Sequence, residues 1–393
     1  MMNANTAQVS ITTRPSKSHT WLPNVALVLF GLIAALAVGE CVARFGHRQL
    51  TSFDDHTFRK SAWSFRPGSH QESYVGAPVV INNLGLRGRD TSIAKPPGVF
   101  RIIGVGDSIT FGYGVRAEDT FLQVLERDLN ASAPAGMRYE VINAGVPATG
   151  LEYYTHFIEH QAPALQPDLI LVCMALNDID PLLDPEPVEG QAQKSAFRSA
   201  NGYLLQHSYL YNAMYVPTKS LLYRFNVLHL KDNEGFGFLA IEPPSPEQEK
   251  ARQRVNQYLR RIEAFTRAHG QRLGIVVFPV EPQLSQQSLQ MYERLLHLYL
   301  GPEALNGQPQ RWIGQMGADI RVPVLDLLPA MRKADRGQLF LRNQSISIDP
   351  VHPSPVGHQV AGDEIARFLR SPRVALVPST REGAAGEQAK NRL

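Results

Sequence analysis

Short apolar runs typical of buried strands alternate with amphipathic helical patterns along most of this 393-residue chain. The strand-like runs lie at 101–105, 139–143, 168–174, 273–279 and 322–327. The helical patterns lie at 119–130, 151–164, 246–269 and 355–369. Parallel strands need long crossover connections, usually helices, and parallel sheets bury both of their faces. The alternation therefore predicts an α/β fold in which helices cover a parallel sheet on both sides.

An apolar stretch near the N-terminus, residues 21–45, is predicted to enter a membrane as a helix. Trp21 to Val38 forms a run of about 18 residues, close to the length that crosses the hydrocarbon core. The alternatives are a buried helix and a cleaved signal peptide, with 35–37 (Ala-Leu-Ala) as the cleavage-like sequence. A polar, basic start before so long a run favours an uncleaved anchor.

The charges that flank this stretch argue against an exported domain when they are simply counted. Arg14 and Lys17 precede it, whereas residues 44–60 contain four basic residues. A hydrophobic segment this near the N-terminus nevertheless acts as an export signal, and large domains follow it largely regardless of charge. We therefore expect a single-pass anchor with the main domain outside the cytoplasm, at the periplasmic or extracellular face.

Composition excludes some classes of partner. The net charge is only +3 and the basic residues are scattered, which argues against a nucleic-acid partner. Cys41 and Cys173 lie far apart in apolar runs, so the sequence indicates neither a disulfide framework nor a cysteine zinc site. No protein partner is indicated.

Local composition divides the chain into five segments. The stretch SYVGAPVVINNLGLRGRD (73–90) suggests a hairpin ahead of the main domain, and KPPG at 95–98 marks a boundary. The chain after Pro372 is polar and is predicted to be disordered. The predicted segments are an N-terminal tail (1–20), a transmembrane anchor (21–45), a linker with a hairpin (46–98), the α/β domain (99–372) and a disordered tail (373–393).

The stretch RIIGVGDSITFGYG (101–114) ends a predicted strand in glycines around one aspartate and one serine. Three familiar loops do not fit it. Ile109 replaces the third glycine of a dinucleotide fingerprint, Gly-Lys-Ser/Thr of a phosphate loop is missing, and Thr110 replaces a nucleophile-elbow glycine. What remains is Ser108 at the carboxyl end of a first parallel strand, where open α/β sheets bind ligands.

A serine hydroxyl becomes a good nucleophile only when a base removes its proton. Asp349 and His352 lie three residues apart, just before a predicted helix that Ser354 can cap, with Pro355 in its first turn. A helix-entry loop with incidental polar residues is the alternative for this pair alone. Together with Ser108, the pair indicates a Ser-His-Asp arrangement.

Four short blocks, in this order, resemble the SGNH or GDSL hydrolase family of serine esterases and acyl-transfer enzymes over residues 101–370. The blocks are GDSITFG at 106–112, NAG at 143–145, LND at 176–178 and DPVH at 349–352. The resemblance implies the SGNH hydrolase fold, a three-layer α/β/α sandwich with a flavodoxin-like parallel sheet. NNLGLRG at 82–88 is also similar to a motif of membrane-anchored bacterial members, but its role does not follow from the sequence.

The resemblance implies a role for each matching residue. Ser108 is the nucleophile, His352 the base and Asp349 the residue that orients the base. The Ser108 amide, the Gly145 amide and the Asn177 side chain form the oxyanion hole. Gly145 and Asn177 each follow a predicted strand, so both are expected at the same sheet edge as Ser108. No metal or organic cofactor is needed for this chemistry.

The third block departs from the family pattern. The family usually has Gly-x-Asn, whereas this chain has Ala175-Leu176-Asn177, and the extra methyl is expected to reshape the pocket edge. Asp178 is interpreted as structural and Asp107 as a brace for the serine loop.

HFIEH at 156–160 matches the inverted zinc-protease motif and suggests a zinc metallopeptidase as an alternative. His156 and His160 lie one helical turn apart, with Glu159 between them. The match is short and no third ligand is evident, so we interpret the pair as surface histidines on an amphipathic helix.

Residues 179–245 follow the family pattern poorly. Their HSYLYNAMYVPTKSLLYRF stretch (207–225) is expected to be a buried helix, with a cap over the active site or a membrane-facing surface as alternatives.

The expected activity is hydrolysis of an acyl ester, with acetyl on a cell-surface glycan favoured by the family analogy and the location. The alternatives are an O-acyltransferase acting on extracytoplasmic polysaccharide and a lipid esterase or lysophospholipase. The expected partners are an acylated small-molecule or glycan substrate and the membrane, through the N-terminal helix.

Overall fold

The computed structural model describes residues 21–46, 58–61, 63–179, 203–205, 207–225, 239, 245–296, 300–343, 346 and 348–378. The predicted tail at 1–20 lies outside the described residues, as do 47–57 of the predicted linker and 379–393 of the C-terminal tail. The chain divides into two compact units, Met1–Arg48 and Gln49–Leu393.

In the first unit, the described residues form the helix α1, over Trp21–Gly46. By length and composition, Pro23–Gly46 is long and apolar enough to cross a membrane, as is also true of a signal sequence. Cys41 is exposed near its carboxyl end, where Arg44 Nε donates to Glu40 Oε1 at 3.1 Å.

The second unit is built on a five-stranded, all-parallel sheet, as predicted. The strand order is β6-β5-β7-β8-β9, and every neighbouring pair is parallel. The described strands are β1 (Arg59–Ser61), β2 (Ser64–Phe65), β3 (His70–Tyr74), β4 (Ala77–Val80), β5 (Val99–Gly106), β6 (Arg138–Gly145), β7 (Leu169–Met174), β8 (Arg272–Val277) and β9 (Val324–Asp326). This order places β5, which leads to Ser108, at an inner position of the sheet.

Helices cover both faces of this sheet. The described helices of this unit are α2 (Ser108–Phe111), α3 (Phe121–Ala131), α4 (Leu151–His160), α5 (Tyr209–Arg224), α6 (Pro246–Ala268), α7 (Gln286–Leu296), α8 (Gln308–Asp319), α9 (Leu328–Ala334) and α10 (Pro355–Arg370). The helical patterns at 119–130, 151–164, 246–269 and 355–369 correspond to α3, α4, α6 and α10. Helices α7, α8 and α9 were not predicted.

The core has two halves because side chains along a strand alternate between the faces of the sheet. In β7, Ile170 and Val172 join a cluster with α4, α6 and α8, whereas Leu169 and Leu171 join a second cluster with α3, α9 and α10. Cys173 is buried in the second cluster. The three-layer α/β/α architecture is therefore confirmed.

The segment 58–98 is packed into the domain, although its start was predicted to be a linker. β3 and β4 form an antiparallel hairpin whose two loop residues, Val75 and Gly76, have positive φ angles of 54° and 88°. Phe58, Phe65 and Ile81 are buried in the same cluster as the α4 side of the sheet. The described part of this segment is thus a covering layer of the main core.

Two other segments differ from expectation. Leu376 and Val377 are buried against the core, although a disordered tail was expected from residue 373. In α5, Met214 is 53% exposed and Leu221 is 51% exposed, so α5 is not the buried helix expected from its composition. Residues 180–202, 226–238 and 240–244 of the uncertain region lie outside the described residues.

Candidate active site

The serine loop begins where β5 ends. A Cβ on Gly106 would lie 2.0 Å from Thr110 Oγ1 and 2.7 Å from the Cys173 carbonyl oxygen, so the chain can turn here only with glycine. Asp107 caps the one-turn helix α2, because its Oδ1 accepts the Ile109 N–H at 2.9 Å. Ser108 is thereby placed at the carboxyl edge of the sheet, and Asp107 braces the loop as expected.

The structure brings Ser108, His352 and Asp349 into one hydrogen-bonded chain. Ser108 Oγ lies 2.8 Å from His352 Nε2, and His352 Nδ1 lies 2.7 Å from Asp349 Oδ2. The other carboxylate oxygen of Asp349 accepts the Val351 and His352 N–H groups at 2.8 and 2.9 Å. This order is the one in which a histidine takes the serine proton while a carboxylate orients the ring.

Electrostatics adapt this pair to proton transfer. Burial works against the charged form of His352, but the Asp349 charge and hydrogen bond outweigh it and raise the pKa of the imidazole. Burial likewise works against the Asp349 carboxylate, yet the His352 charge and the N–H donors lower the pKa of that carboxyl. The imidazolium that forms when His352 takes a proton is therefore stabilised.

Gly145 lies at the same edge, at the end of β6, where it packs closely against α2. Its N–H already donates to Asn143 Oδ1 at 2.9 Å. A Cβ at Gly145 would lie 2.2 Å from the Phe111 backbone nitrogen, so only glycine lets α2 approach β6. The NAG motif gave no indication that the Asn143 side chain accepts the hydrogen bond of the Gly145 N–H.

Asn177 lies beside the serine loop. It belongs to a short 3₁₀ turn, Leu176–Ile179, after β7, and its Nδ2 is 3.4 Å from Asp107 Oδ2. This contact is too long for a strong hydrogen bond, so the amide is held only weakly by its carboxylate neighbour.

Asp178 makes structural contacts. It accepts hydrogen bonds from the Tyr154 hydroxyl at 3.1 and 3.2 Å and from the Ala175 N–H at 3.2 Å. Burial and the charge of Asp107 raise the pKa of Asp178 well above its usual value. These contacts fit its interpretation as a structural residue and tie the LND turn to α4.

A pair of aromatic side chains lies beside the histidine. The Tyr113 ring stacks on the His352 ring with centroids 4.3 Å apart, and Tyr74 meets Tyr113 edge-on at 5.4 Å. Tyr113 directly follows the GDSITFG block, so its position in the sequence was a signal that could have been used. Tyr74 comes from the hairpin and gave no such signal.

A buried polar network supports the Asp349 turn from behind. Arg342 donates to Glu281 Oε2 and to the Asp349 carbonyl oxygen, and the Tyr292 hydroxyl also donates to Glu281. The Glu281 N–H donates to the Pro350 carbonyl oxygen at 2.8 Å. Sequence reasoning missed these residues because they lie in segments without a recognisable motif.

The HFIEH motif forms the second half of α4. The His156 and His160 rings are 4.7 Å apart, and His156 also packs on Trp63. Glu159 is held by Arg261 through two hydrogen bonds of 2.6 Å. Within the described ranges, no group of three or more His, Cys, Asp or Glu side chains could hold a metal ion.

Comparison with solved structures finds matches of low sequence identity. A lipolytic protein of the G-D-S-L family from Desulfitobacterium hafniense is 14% identical (TM-score 0.37), covering 68% of this chain and 98% of its own. Axe2, an acetylxylan esterase from Geobacillus stearothermophilus, is 15% identical (TM-score 0.38; 69% and 92% covered). LAE5, an alpha/beta hydrolase enzyme from the metagenome of Lake Arreo, is 13% identical (TM-score 0.38; 73% and 100% covered).

Comparison at the sequence level identifies the family. No curated protein sequence matches the chain. The model of the GDSL-like lipase/acylhydrolase family matches residues 105–304, half of the chain, and this match begins at the strand that carries the serine loop. The chain thus belongs to the GDSL-like lipase/acylhydrolase family and is a hydrolase of ester bonds.

Proposed function

We propose that the protein is a serine esterase in which Ser108, His352 and Asp349 act as nucleophile, general base and orienting carboxylate. The observation that carries this proposal is the chain of two hydrogen bonds, 2.8 and 2.7 Å long, from Ser108 Oγ through His352 to Asp349. A merely exposed serine would have no base within reach of its hydroxyl proton.

The proposed reaction has two steps. Ser108 Oγ attacks the ester carbonyl carbon while its proton passes to His352 Nε2, and the alcohol then leaves with that proton. His352 next removes a proton from water, which attacks the acyl-serine carbonyl carbon, and then returns that proton to Ser108 Oγ as the carboxylic acid leaves. Asp349 stays ionised and stabilises the imidazolium in both steps.

The developing oxyanion needs donors at the carboxyl edge of the sheet. We assign this role to the Ser108 amide, the Gly145 amide and the Asn177 side chain; in this structure the Gly145 N–H donates to Asn143 Oδ1. The weak 3.4 Å contact between Asn177 and Asp107 supports the assignment, since an amide held so loosely remains available to an oxyanion.

The proposed substrate is a small acyl ester, with acetyl on a cell-surface glycan favoured. Tyr113 against His352, with Tyr74 behind it, forms an aromatic wall beside the nucleophile, which favours a short acyl group over a long chain. Transfer of the acyl group to a sugar hydroxyl would use the same residues, with the hydroxyl in place of water. Membership of the family is also compatible with a lipid ester, which is the third substrate class.

We also propose that α1 anchors the enzyme, with the catalytic domain outside the cytoplasm. The length and apolar composition of Pro23–Gly46 support an anchor, and its position near the N-terminus supports export. A reporter enzyme fused after residue 60 should be active only outside the cytoplasm. Activity inside the cytoplasm would contradict this topology, and a mature N-terminus near Val38 would show cleavage.

The test of the reaction uses the full chain in detergent and a fluorophosphonate probe. Labelling should occur at Ser108 alone, and Ser108→Ala or His352→Ala should abolish it, because the probe needs an activated hydroxyl. Product analysis with acetylated oligosaccharides, with and without a sugar acceptor, separates hydrolysis from transfer. Full esterase activity in Ser108→Ala would refute the proposal.

A further inference from the structure

Arg87, from the NNLGLRG motif, has a buried guanidinium at the end of the helix that begins with Ser108. Its side chain is 3% exposed, and it precedes the family match at 105–304. Nη1 donates to the carbonyl oxygens of Phe111, at 2.5 Å, and Gly112, while Nη2 donates to that of Val115 at 2.5 Å. The guanidinium carbon also lies 4.6 Å from the centre of the Phe111 ring.

These contacts act on a helix that cannot hold its own shape. A single helical turn fixes several dihedral angles for very few hydrogen bonds, and its last carbonyls have no partner inside the helix. In α2 the Thr110 carbonyl oxygen accepts Asn143 Nδ2 at 2.8 Å, and Arg87 takes the next carbonyls. Arg87 and Asn143 thus fix one end of the turn whose other end carries the nucleophile.

The rest of the N-terminal segment closes around the same helix. Phe58, Phe65 and Tyr74 place their rings 5.9, 5.4 and 6.2 Å from the Phe111 ring. The Arg87 backbone forms an isolated antiparallel bridge with Asn143 at the end of β6. The segment 58–98 therefore reaches the serine loop through both an aromatic cluster and a cation.

The charge of Arg87 is met by backbone carbonyls. Among the described residues, no carboxylate forms an ion pair with it. A guanidinium suits this site because its planar fork directs several N–H groups at separate acceptors, whereas an ammonium is a single point charge.

We infer that Arg87 is a positioning residue for Ser108, so that the segment 58–98, outside the family-matched region, is a required part of the catalytic unit. This inference rests on the proposed role of Ser108 as the nucleophile. Arg87 holds α2 in the orientation that places Ser108 Oγ at hydrogen-bond distance from His352.

The chain offers a matched control in Arg101. This arginine is also buried, at 0% exposure, and donates to Glu140 at 2.7 Å and to the Ile93 and Leu165 carbonyl oxygens. It lies near the start of β5, at the opposite edge of the sheet from Ser108. Replacing it removes a buried guanidinium, here one that is paired with a carboxylate, without touching α2.

The experiment compares Arg87→Lys and Arg87→Met with the same two substitutions at Arg101, in the full chain. For folded protein, Arg87→Met should lower kcat and the fluorophosphonate labelling rate by about tenfold to a hundredfold, with KM within about threefold. Arg87→Lys should show a smaller loss, about threefold to tenfold, because the charge is kept but the fork is lost. Both Arg101 variants should lower the melting temperature yet keep kcat within about twofold of wild type.

A rescue experiment separates positioning from general damage. Added guanidinium ion should restore part of the labelling of Arg87→Ala and none of that of Arg101→Ala. Wild-type labelling rates in folded Arg87→Lys and Arg87→Met would overturn the inference. So would failure of all Arg87 variants to fold, or losses equal to those at Arg101, because either outcome would make Arg87 purely structural. The wild-type protein is labelled in parallel. Absence of labelling at Ser108 in that sample would instead refute the proposed function.

Discussion

The turn that carries the base and the helix that carries the nucleophile are built in different ways. In the turn, Asp349 accepts the N–H groups of Val351 and His352 with one oxygen and binds the His352 ring with the other. Outside contacts reach this turn mainly at its backbone carbonyls, as the hydrogen bond from the Glu281 N–H to Pro350 does. The base is therefore oriented by residues that are adjacent in sequence.

The nucleophile helix depends on distant residues. Its first carbonyl-binding partner, Arg87, lies 24 residues before Phe111, and Asn143 lies 33 residues after Thr110. Only Asp107, which caps the helix, is local. The difference teaches that the base turn should tolerate changes in its surroundings, whereas the placement of Ser108 should respond to changes in three separate segments.

Among the changes that compare the two regions, the largest effect is expected from Asp349→Asn, which keeps one acceptor oxygen for the turn but removes the charge. We expect kcat to fall by about 10²–10⁴-fold. The Asp349 charge raises the pKa of His352 and burial lowers it, so without the charge this pKa falls. The neutral base then persists to lower pH, and the acid limb of the kcat/KM profile should move to lower pH. An unmoved acid limb would show that Asp349 does not set the protonation of His352.

Asn177 is a proposed oxyanion donor that lies outside both the base turn and the nucleophile helix. Asn177→Ala therefore measures the contribution of this one donor to kcat. We expect kcat to fall by about 10²–10³-fold with little change in KM, because the donor matters mainly when charge develops on the substrate. Circular dichroism should show an unchanged melting temperature within a few degrees, since the side chain makes only a weak contact. A fall in kcat of less than about threefold would show that Asn177 is not an oxyanion-hole donor.

The smallest effect, and the sharpest contrast between the regions, is expected from two alanine substitutions. A Cβ at Gly145 would lie 2.2 Å from the Phe111 nitrogen, and one at Gly357 would lie 2.1 Å from the Leu339 carbonyl oxygen. Both should destabilise the fold by about 1–3 kcal/mol, which urea denaturation measures. Gly145→Ala displaces α2 and should lower kcat by about tenfold. Gly357→Ala should leave kcat within about threefold of wild type, because the base turn holds its own shape. Equal losses in the two variants would mean that the turn is no more self-contained than the helix.

The same contrast explains what the sequence could predict. The buried strands and the Asp349–His352 turn are encoded by neighbouring residues, so apolar runs and short motifs identified them. Helix α8 escaped detection because Gly314 and Gly317 weaken its helical pattern, although a Cβ at Gly317 would lie 2.2 Å from the Val324 side chain. Gly317 thus allows α8 to pack closely on β9, and the same glycine weakens the helical pattern in the sequence.

The site shows the same limit. Strand ends predicted Gly145 and Asn177 at the same edge of the sheet as Ser108, and the structure places these residues at or just after the ends of β6, β7 and β5. The use of the Gly145 amide by Asn143 depends on a side-chain rotamer, and the contact of Arg87 with α2 depends on how a hairpin packs. Neither can be read from spacing along the chain.

The two cysteines differ in exposure, so a thiol reagent can test the topology of the unmodified protein. Cys173 is sealed within β7, and burial raises the pKa of its thiol, so it stays unreactive in the folded protein. Cys41 is exposed near the carboxyl end of α1, and the chain has no other cysteine. A maleimide that cannot cross a bilayer therefore modifies the folded chain at one position. With α1 as the proposed anchor, the side of intact cells or vesicles from which the reagent reaches Cys41 shows on which side α1 ends, without any engineered residue.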